Sequence, residues 1–296
     1  MNSLTAGVVA IRYIPLLLCL NILLVSGVFA NTTVTYRSSE SVDDDRYEYD
    51  RALLKLALQQ TVPEYGVFNM VPSPAMNNSR AVLAARNRSL PNFVVKLSYS
   101  YAHPEALGYI PFPVDLGIVG YRVCFTSREL RDKVADIDSV EKLKGFVFGQ
   151  GRGWTDVEIL RHHGFQVVEV PLYASLFGMV AGRRFDLLCR GPNEFLGEWE
   201  ANRHIESFIY DESLVIHYAL PRFFYVHESN RVLMERIEKG LKKAYADGSL
   251  KQLWLKHYRE SIEFTDLKSR RIFRFENPTL KGLDPSYEMY LYDPYK

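Results

Sequence analysis

Short apolar runs alternate with helical spacings along most of the chain, and this alternation predicts the fold class. The predicted strands cover residues 34–37, 66–71, 93–97, 120–126, 145–148, 166–170 and 185–189, followed by a strand-rich segment at 214–227. The predicted helices cover residues 47–58, 77–88, 140–143, 154–163, 173–181, 230–246 and 248–258. Strands that alternate with helices form mainly parallel sheets with crossover helices, so we expect an α/β protein. The alternation occurs in two blocks joined by two extended segments, which predicts two lobes connected by two crossings.

The first residues have the pattern of a secretory signal peptide. Residues 14–28 are nearly all apolar, Arg12 is the only charge before them, and small residues end the segment at Ala30. We expect cleavage after Ala30 and a periplasmic location, with an uncleaved membrane anchor as the alternative. Removing 30 of the 296 residues leaves 266, a length that suits two lobes better than one core.

Composition narrows the class of protein. A hydrophobic content of 47% and a net charge of +1 exclude a disordered chain and a nucleic-acid-coating protein. No spacing typical of a metal site or a nucleophilic triad occurs, so we expect no metal, no cofactor and no enzymatic activity. Cys124 and Cys189 lie in apolar strand-like runs, where two buried free thiols are expected; a disulfide between them in an oxidising compartment is the alternative.

A glycine-rich segment marks the candidate binding site. Gly149, Gly151 and Gly153 alternate after a predicted strand, and Trp154 begins a helical pattern. Glycine lets backbone N–H groups approach a ligand closely, and a helix start leaves its first N–H groups unpaired. The segment therefore predicts a cradle for a small anionic group.

Several motifs in a fixed order extend this interpretation. They are Leu143-Lys-Gly145 before Gly149-Gln-Gly151, Val180-Ala-Gly-Arg-Arg-Phe-Asp186 before a strand, and Ala244-Tyr-Ala-Asp-Gly248 followed by Ser-Leu-Lys-Gln-Leu-Trp254. With them the chain resembles the extracytoplasmic solute-binding proteins of family 3, the periplasmic binding proteins for amino acids and similar polar solutes. A divergent branch is indicated by Gly120-Tyr-Arg122, Trp154-Thr-Asp156, Arg190-Gly-Pro-Asn-Glu194 and Asn277-Pro278.

The resemblance implies a type II periplasmic-binding fold. Lobe 1 would comprise residues 31–121 and 222–296, and lobe 2 residues 122–221. The ligand would lie between the lobes at the carboxyl ends of the strands, and closure would be a hinge motion. The expected partners are a small-molecule solute and a membrane permease of the ABC type or a sensor protein, with the binding protein itself a monomer.

Two departures from the amino-acid binders of that family affect the expected ligand. Residues 105–112 lack the arginine that clamps a carboxylate there, and Arg190 stands where those proteins carry an acid for the ligand ammonium. We therefore expect a solute with a carboxylate or other anionic group facing lobe 2, and it need not be an amino acid. A module without a small-molecule ligand and an enzyme on the same fold are the alternatives.

The predicted ligand contacts are Tyr36, Arg80, Tyr99, Gln150, Gly151, Gly153, Trp154, Thr155, Arg190, Asn193 and Glu194. Arginine makes paired bonds to a carboxylate, and tryptophan can stack on a ligand. Each of four residues has a structural alternative: Trp154 as a wedge between helix and sheet, Thr155 as a helix cap, Arg190 in a salt bridge to Glu194 or Glu198, and Arg80 on a solvated helix face.

Overall fold

The computed structural model of the protein describes residues 31–39, 47–100 and 105–296. The predicted signal peptide, residues 1–30, lies outside the described residues. The strands are β1 (Thr32–Tyr36), β2 (Phe68–Pro72), β3 (Phe93–Ser98), β4 (Leu107–Tyr109), β5 (Tyr121–Ser127), β6 (Val147–Gly151), β7 (Gln166–Val170), β8 (Leu188–Arg190), β9 (Phe208–Tyr210), β10 (Leu214–His217), β11 (Arg222–His227) and β12 (Arg271–Arg274). The helices are α1 (Glu48–Gln59), α2 (Val62–Tyr65), α3 (Asn78–Arg86), α4 (Arg131–Ala135), α5 (Val140–Leu143), α6 (Thr155–His162), α7 (Ser175–Ala181), α8 (Pro192–Asn202), α9 (Arg231–Ala246) and α10 (Ser249–Thr265).

Two separate five-stranded sheets organise the chain. The first has the strand order β2-β1-β3-β11-β4, and the second has the order β12-β10-β5-β8 with β9 beside β5. A parallel pair, β6 and β7, is linked to the second sheet by a bridge between Phe148 and Leu187. The predicted two-lobed α/β fold is confirmed.

The sheets are mixed. In the first sheet β1 runs parallel to β2 and β3, but β11 runs antiparallel to β3 and β4. In the second sheet β5 runs antiparallel to β8, β9 and β10. Both β5 and β11 enter from the other lobe. A strand that arrives without a crossover helix from its own sheet is not constrained to run parallel.

The two crossings touch each other at Gly120. Residues 110–120 connect β4 to β5, and residues 218–221 connect β10 to β11. The Tyr218 N–H donates to the Gly120 carbonyl at 3.1 Å. A Cβ built on Gly120 would lie 2.6 Å from the Tyr218 carbonyl oxygen. Only glycine therefore allows the crossings to approach this closely.

The C-terminal segment departs from the predicted lobe boundary, which assigned residues 222–296 to lobe 1. Strand β12 pairs parallel with β10 along its whole length and so belongs to the second sheet. The sequence pattern gave no sign of this strand, because its four residues Arg-Ile-Phe-Arg carry two exposed charges.

The tail after β12 returns to the first lobe. The Asn277 side-chain amide donates to the Ala219 carbonyl at 2.8 Å, on the second crossing. The Thr279 hydroxyl donates to the carbonyl of Tyr99, and the Tyr290 ring lies 4.6 Å from that of Phe112. Two further connections therefore join the lobes, one entering β12 and one leaving it.

The expectation of two free thiols was wrong. Cys124 and Cys189 are directly opposite residues of the antiparallel pair β5 and β8, and they form a disulfide. Opposite residues in such a pair point to the same face of the sheet, which brings their side chains together. Both cysteines are buried. The apolar sequence around each cysteine predicted the burial but contained no information on the register.

Close helix packing in the first lobe depends on one glycine. The buried face of α9 contains Leu233, Ile237 and Leu241, and it packs against α1. Gly240 lies at the contact, where an added Cβ would overlap the Ala57 carbonyl oxygen. The two helices can approach only because this position has no side chain.

We therefore expect Gly240→Ala to lower the free energy of unfolding by about 1–3 kcal/mol through overpacking. Gly178→Ala is the matched control, because Gly178 lies in α7 and a Cβ added there would have no atom within 4 Å. The control should be neutral or stabilising by up to about 1 kcal/mol, from helix propensity alone. Urea unfolding of both variants measures the difference, and equal effects would contradict the packing argument.

Candidate functional site

A cavity of about 440 Å³ lies between the lobes at the carboxyl ends of strands from both sheets. We call it the main cleft. Residues of the first lobe that line it are Arg37, Tyr47, Asn78, Ser79, Val82, Lys96, Leu97, Ser98, Ser100 and Arg222. Residues of the second lobe that line it are Gly153, Trp154, Thr155, Asp156, Arg190 and Glu194. The position is the one that the resemblance implied, since ligands of open α/β sheets bind beyond the carboxyl ends of the strands.

The three glycines of the second lobe serve different purposes. Gly149 and Gly151 belong to β6, not to a turn. A Cβ at Gly149 would overlap the Phe185 ring, and one at Gly151 would overlap the Trp154 indole. Gly153 has a φ of +76° and lines the cleft. The predicted cradle is thus reduced to the turn at Gly153, while the other two glycines make room for aromatic rings.

Arg190 is buried in salt bridges and also lines the main cleft. Its Nε and Nη2 donate to both carboxylate oxygens of Glu198 at 2.7–2.9 Å, and Nη2 lies 3.0 Å from Glu194 Oε2. The guanidinium lies over the Trp154 ring, 4.5 Å from its centre. The salt-bridge alternative is therefore realised. The Nη1 group makes no hydrogen bond to any described residue, and it is the donor left for a ligand.

Asp156 does not cap its helix but pairs with a buried cation. Its Oδ1 accepts a hydrogen bond from the Tyr218 hydroxyl at 2.5 Å and lies 2.6 Å from Arg122 Nη2. Arg122 is only 1% exposed, and Asp156 is its ion-pair partner among the described residues. The pair connects the helix α6 that follows the Gly153 turn to strand β5 and to the second crossing.

The first lobe contributes a second set of charges. Lys96 Nζ lies 2.7 Å from Asp50 Oδ1 and 3.4 Å from Asp115 Oδ1. Arg37 donates to the Asn78 side chain and to the Met76 carbonyl, and its guanidinium lies 4.4 Å from the Tyr47 ring centre. Polar groups from β1, β3 and α3 therefore meet at one edge of the first sheet.

The two sets are joined across the cleft by Arg222. Its Nη1 lies 3.7 Å from Asp115 Oδ2 in the first crossing and 3.2 Å from Glu194 Oε1 in α8. Burial alone would raise the pKa of Glu194, but the guanidinium groups of Arg190 and Arg222 hold it well below its usual value. Glu194 is therefore ionised at neutral pH and links the charges of both lobes.

Five of the predicted contact residues line the main cleft: Gly153, Trp154, Thr155, Arg190 and Glu194. The other six lie elsewhere, as follows. Tyr36 is half-buried against the first-lobe core, Arg80 is exposed on α3, Tyr99 is buried in an aromatic cluster, Gln150 is fully buried in β6, Gly151 lies under Trp154, and Asn193 lines a second cavity. The Gln150 side-chain amide makes no hydrogen bond to any described residue.

Sequence reasoning missed the cations of the first lobe, Arg37, Lys96 and Arg222. One signal was available: Lys96 interrupts the apolar run Val94-Val-Lys-Leu97, and a charge inside a buried strand needs a partner. Among the described residues, no helix has the length and apolar character needed to cross a membrane. Those same residues contain no grouping of three His, Cys, Asp or Glu side chains suited to a metal ion.

The Arg122–Asp156 pair leads to a stability prediction. Asp156→Asn keeps the Tyr218 hydrogen bond but leaves the buried Arg122 charge without its carboxylate. We expect a loss of about 3–5 kcal/mol in the free energy of unfolding. Adding Arg122→Met should restore at least about 2 kcal/mol, because no buried charge then remains. Urea denaturation measures both, and a double variant no more stable than the single one would contradict this account.

Asp50 leads to a prediction of pH dependence. Burial raises the pKa of Asp50 to about 6 against the attraction of Lys96, above a value of about 3.9 in the unfolded chain. The folded state therefore binds this proton more tightly. Its contribution to stability is complete below about pH 4 and falls by about 3 kcal/mol as the pH rises through about 6, with the loss nearly complete at about pH 7.

The measurement compares the free energy of unfolding of the natural chain and of Asp50→Asn from pH 4 to pH 7. Titrating groups that are distant from Asp50 cancel in the difference, because they are the same in both proteins and independent of this site. The natural chain should lose stability relative to the variant as the pH rises. Two parallel curves would rule out a raised pKa at this carboxyl group.

No protein-family model and no curated protein matches the sequence. Solved structures match the fold. An ancestral arginine-binding protein bound to arginine has a TM-score of 0.56 and 15% identity, covering 78% of this chain and 99% of its own. A histidine kinase sensor domain with similarity to periplasmic binding proteins has a TM-score of 0.57 and 15% identity. This match covers 77% of this chain and 96% of the sensor domain. An arginine transport-system periplasmic binding protein from Legionella pneumophila has a TM-score of 0.57 and 12% identity. This match covers 77% of this chain and 100% of the binding protein. The chain therefore has the two-lobed fold of the periplasmic binding proteins.

Proposed function

We propose that the chain is an extracytoplasmic solute-binding protein that captures a small, carboxylate-bearing or otherwise anionic solute in the main cleft. The observation that carries the proposal is the composition of the cleft walls. Both lobes supply cations there, at the ends of strands from both sheets. The cavity volume of about 440 Å³ lies within the usual range for small-molecule sites.

The charges that line the cleft favour an anion. Of its described lining residues, four are cationic, namely Arg37, Lys96, Arg190 and Arg222, and two are acidic, namely Asp156 and Glu194. Both acids are engaged by arginines, since Asp156 pairs with Arg122 and Glu194 pairs with Arg190 and Arg222. Cationic side chains therefore outnumber acidic ones on the described walls of the cleft, and this excess supports an anionic solute.

Uncharged hydrogen-bond donors also line the cleft. The hydroxyl groups of Ser79, Ser98 and Thr155 and the amide of Asn78 belong to its walls. Arg190 Nη1 would supply a charged donor from the second lobe, while Arg37 and Lys96 would do so from the first. A solute bonded to both walls stabilises the closed arrangement over the open one, which shifts the population toward closure.

The role that follows is delivery to a membrane partner, which is an ABC-type permease or a sensor. The comparisons support both classes, because the similar folds include a transport-system binding protein and a histidine kinase sensor domain. The signal-peptide pattern of residues 1–30 supports an extracytoplasmic location. The competing possibility is an interaction module whose cleft binds no small molecule.

The test is a thermal-shift screen of the purified protein against mono- and dicarboxylates, phosphate and the twenty amino acids, followed by calorimetry. We expect an anionic compound to raise the melting temperature, because a ligand that binds only the folded state stabilises it. Arg37→Gln should weaken its binding at least about tenfold through the loss of a charged donor. X-ray scattering should show a smaller radius of gyration in the complex.

Arg80→Gln is the matched control, since Arg80 lies on the same lobe but is exposed and does not line the cleft. It should change the affinity by less than about twofold, as an exposed charge contributes little. A screen in which no compound stabilises the protein would favour the interaction module. An anionic hit whose affinity is unchanged by Arg37→Gln would refute an anion site in the main cleft.

A further inference from the structure

A second cavity of about 590 Å³ lies on the other side of the salt bridges of Arg190. We call it the acidic cavity. Helices α1 and α10 form one wall, and α7 and α8 with the residues before α7 form the other. Its lining includes Glu48, Glu194, Glu198, Glu200 and Glu260.

The charge of this cavity is opposite to that of the main cleft. Five glutamates and no lysine or arginine are found among its described lining residues. Burial lowers the pKa of His257 below its usual value, so the ring is neutral at neutral pH. Glu194 and Glu198 are paired with Arg190, but Glu200 and Glu260 are exposed and have no ion-pair partner among the described residues.

Aromatic rings cover both walls. On the wall of α1 and α10, the Tyr49 and Tyr258 rings lie 4.6 Å apart. On the opposite wall, Tyr173 and Phe177 meet edge to face at 5.3 Å. Aromatic faces attract a positive charge, and carboxylates around them add to that attraction. An apolar ligand would gain from the rings alone, but only a cation would gain from both.

One tyrosine hydroxyl in this cavity has no hydrogen bond within the described part of the chain, although the tyrosine as a whole is buried. Tyr258 is 7% exposed, and no described group bonds to its hydroxyl. The neighbouring tyrosines differ, since the Tyr49 hydroxyl donates to the Val114 carbonyl and the Tyr173 hydroxyl donates to Glu198, each at 2.8 Å. The Tyr258 oxygen is thus available to accept from a ligand N–H.

From this combination we infer that the acidic cavity is a second binding site, for a protonated organic amine with an apolar or aromatic body. The ammonium group would lie among the glutamates and close to the aromatic rings, while its N–H groups would donate to Tyr258. The site is distinct from the main cleft, and Glu194 is the one described residue that lines both. It goes beyond the proposed function, because the two sites take ligands of opposite charge.

The experiment titrates the purified protein with phenethylamine at pH 7 by calorimetry. 2-Phenylethanol and phenylacetate serve as neutral and anionic probes of the same shape. We expect the amine to bind at least about tenfold more tightly than either probe, through cation–π and carboxylate interactions. No measurable binding of the amine, or equal binding of the alcohol, would overturn the inference.

Two variants locate the bound amine. Glu200→Gln with Glu260→Gln should weaken its binding about five- to twentyfold, because two carboxylates near the cation are lost. Tyr258→Phe keeps the aromatic ring but removes the hydroxyl. We expect it to weaken the binding of the amine about three- to tenfold, because a hydrogen bond is lost. Glu141→Gln, which removes one carboxylate at an exposed position of α5, should leave the affinity within about twofold of the natural chain.

The same titration separates this inference from the function proposed for the main cleft. Arg37→Gln should not lower the affinity for the amine, because Arg37 lines the main cleft and not the acidic cavity. If Arg37→Gln abolishes amine binding while the glutamine variants of α8 and α10 do not, the amine occupies the main cleft and the second site is refuted. Failure of the anion screen leaves this outcome unaffected.

Discussion

A chain of buried charges crosses from one lobe to the other, and the arrangement of both cavities depends on it. Lys96 pairs with Asp115, Arg222 lies between Asp115 and Glu194, and Arg190 lies between Glu194 and Glu198. Each member neutralises its neighbours, which is the condition for keeping ions away from water. A substitution that removes any one of these charges leaves an uncompensated charge at the junction of the lobes. The burial of each charged residue there therefore depends on all the others.

This chain of charges also divides the space between the lobes into two environments. Arg190 and Arg222 present positive charge to the main cleft, while Glu194, Glu198 and the glutamates of α8 and α10 present negative charge to the acidic cavity. Trp154 and Tyr173 lie near the Arg190 guanidinium, at 4.5 Å and 5.9 Å. The aromatic residues thus shield the arginine from water, and the carboxylates set its orientation.

The fold and most of the second-lobe residues that line the cleft could be predicted from the sequence, because both depend on local patterns. Alternating apolar runs located most strands, and the motif Trp154-Thr-Asp156 marked the start of α6 at the cleft. Register and long-range pairing were not predictable. The disulfide depends on the pairing of β5 with β8, and the role of Gly149 depends on the Phe185 ring, which approaches from a distant part of the sequence. The first-lobe cations were missed for the same reason, since their meeting point is set by the order of strands in the sheet.

The motifs that marked the chain as divergent meet in space. Gly120 and Arg122 contact Tyr218 and Asp156, Arg190 contacts Glu194, and Asn277 bonds to the second crossing. The last of these contacts matters for motion. Two linkers alone would let the lobes bend and twist, whereas the connections into and out of β12 add two more attachments between the lobes, one of which bonds to the second crossing. Extra attachments restrict twisting more than bending, so fewer relative orientations of the lobes remain accessible. Under the proposed function, closure would then lose less conformational entropy, and a given set of solute contacts would produce a tighter complex.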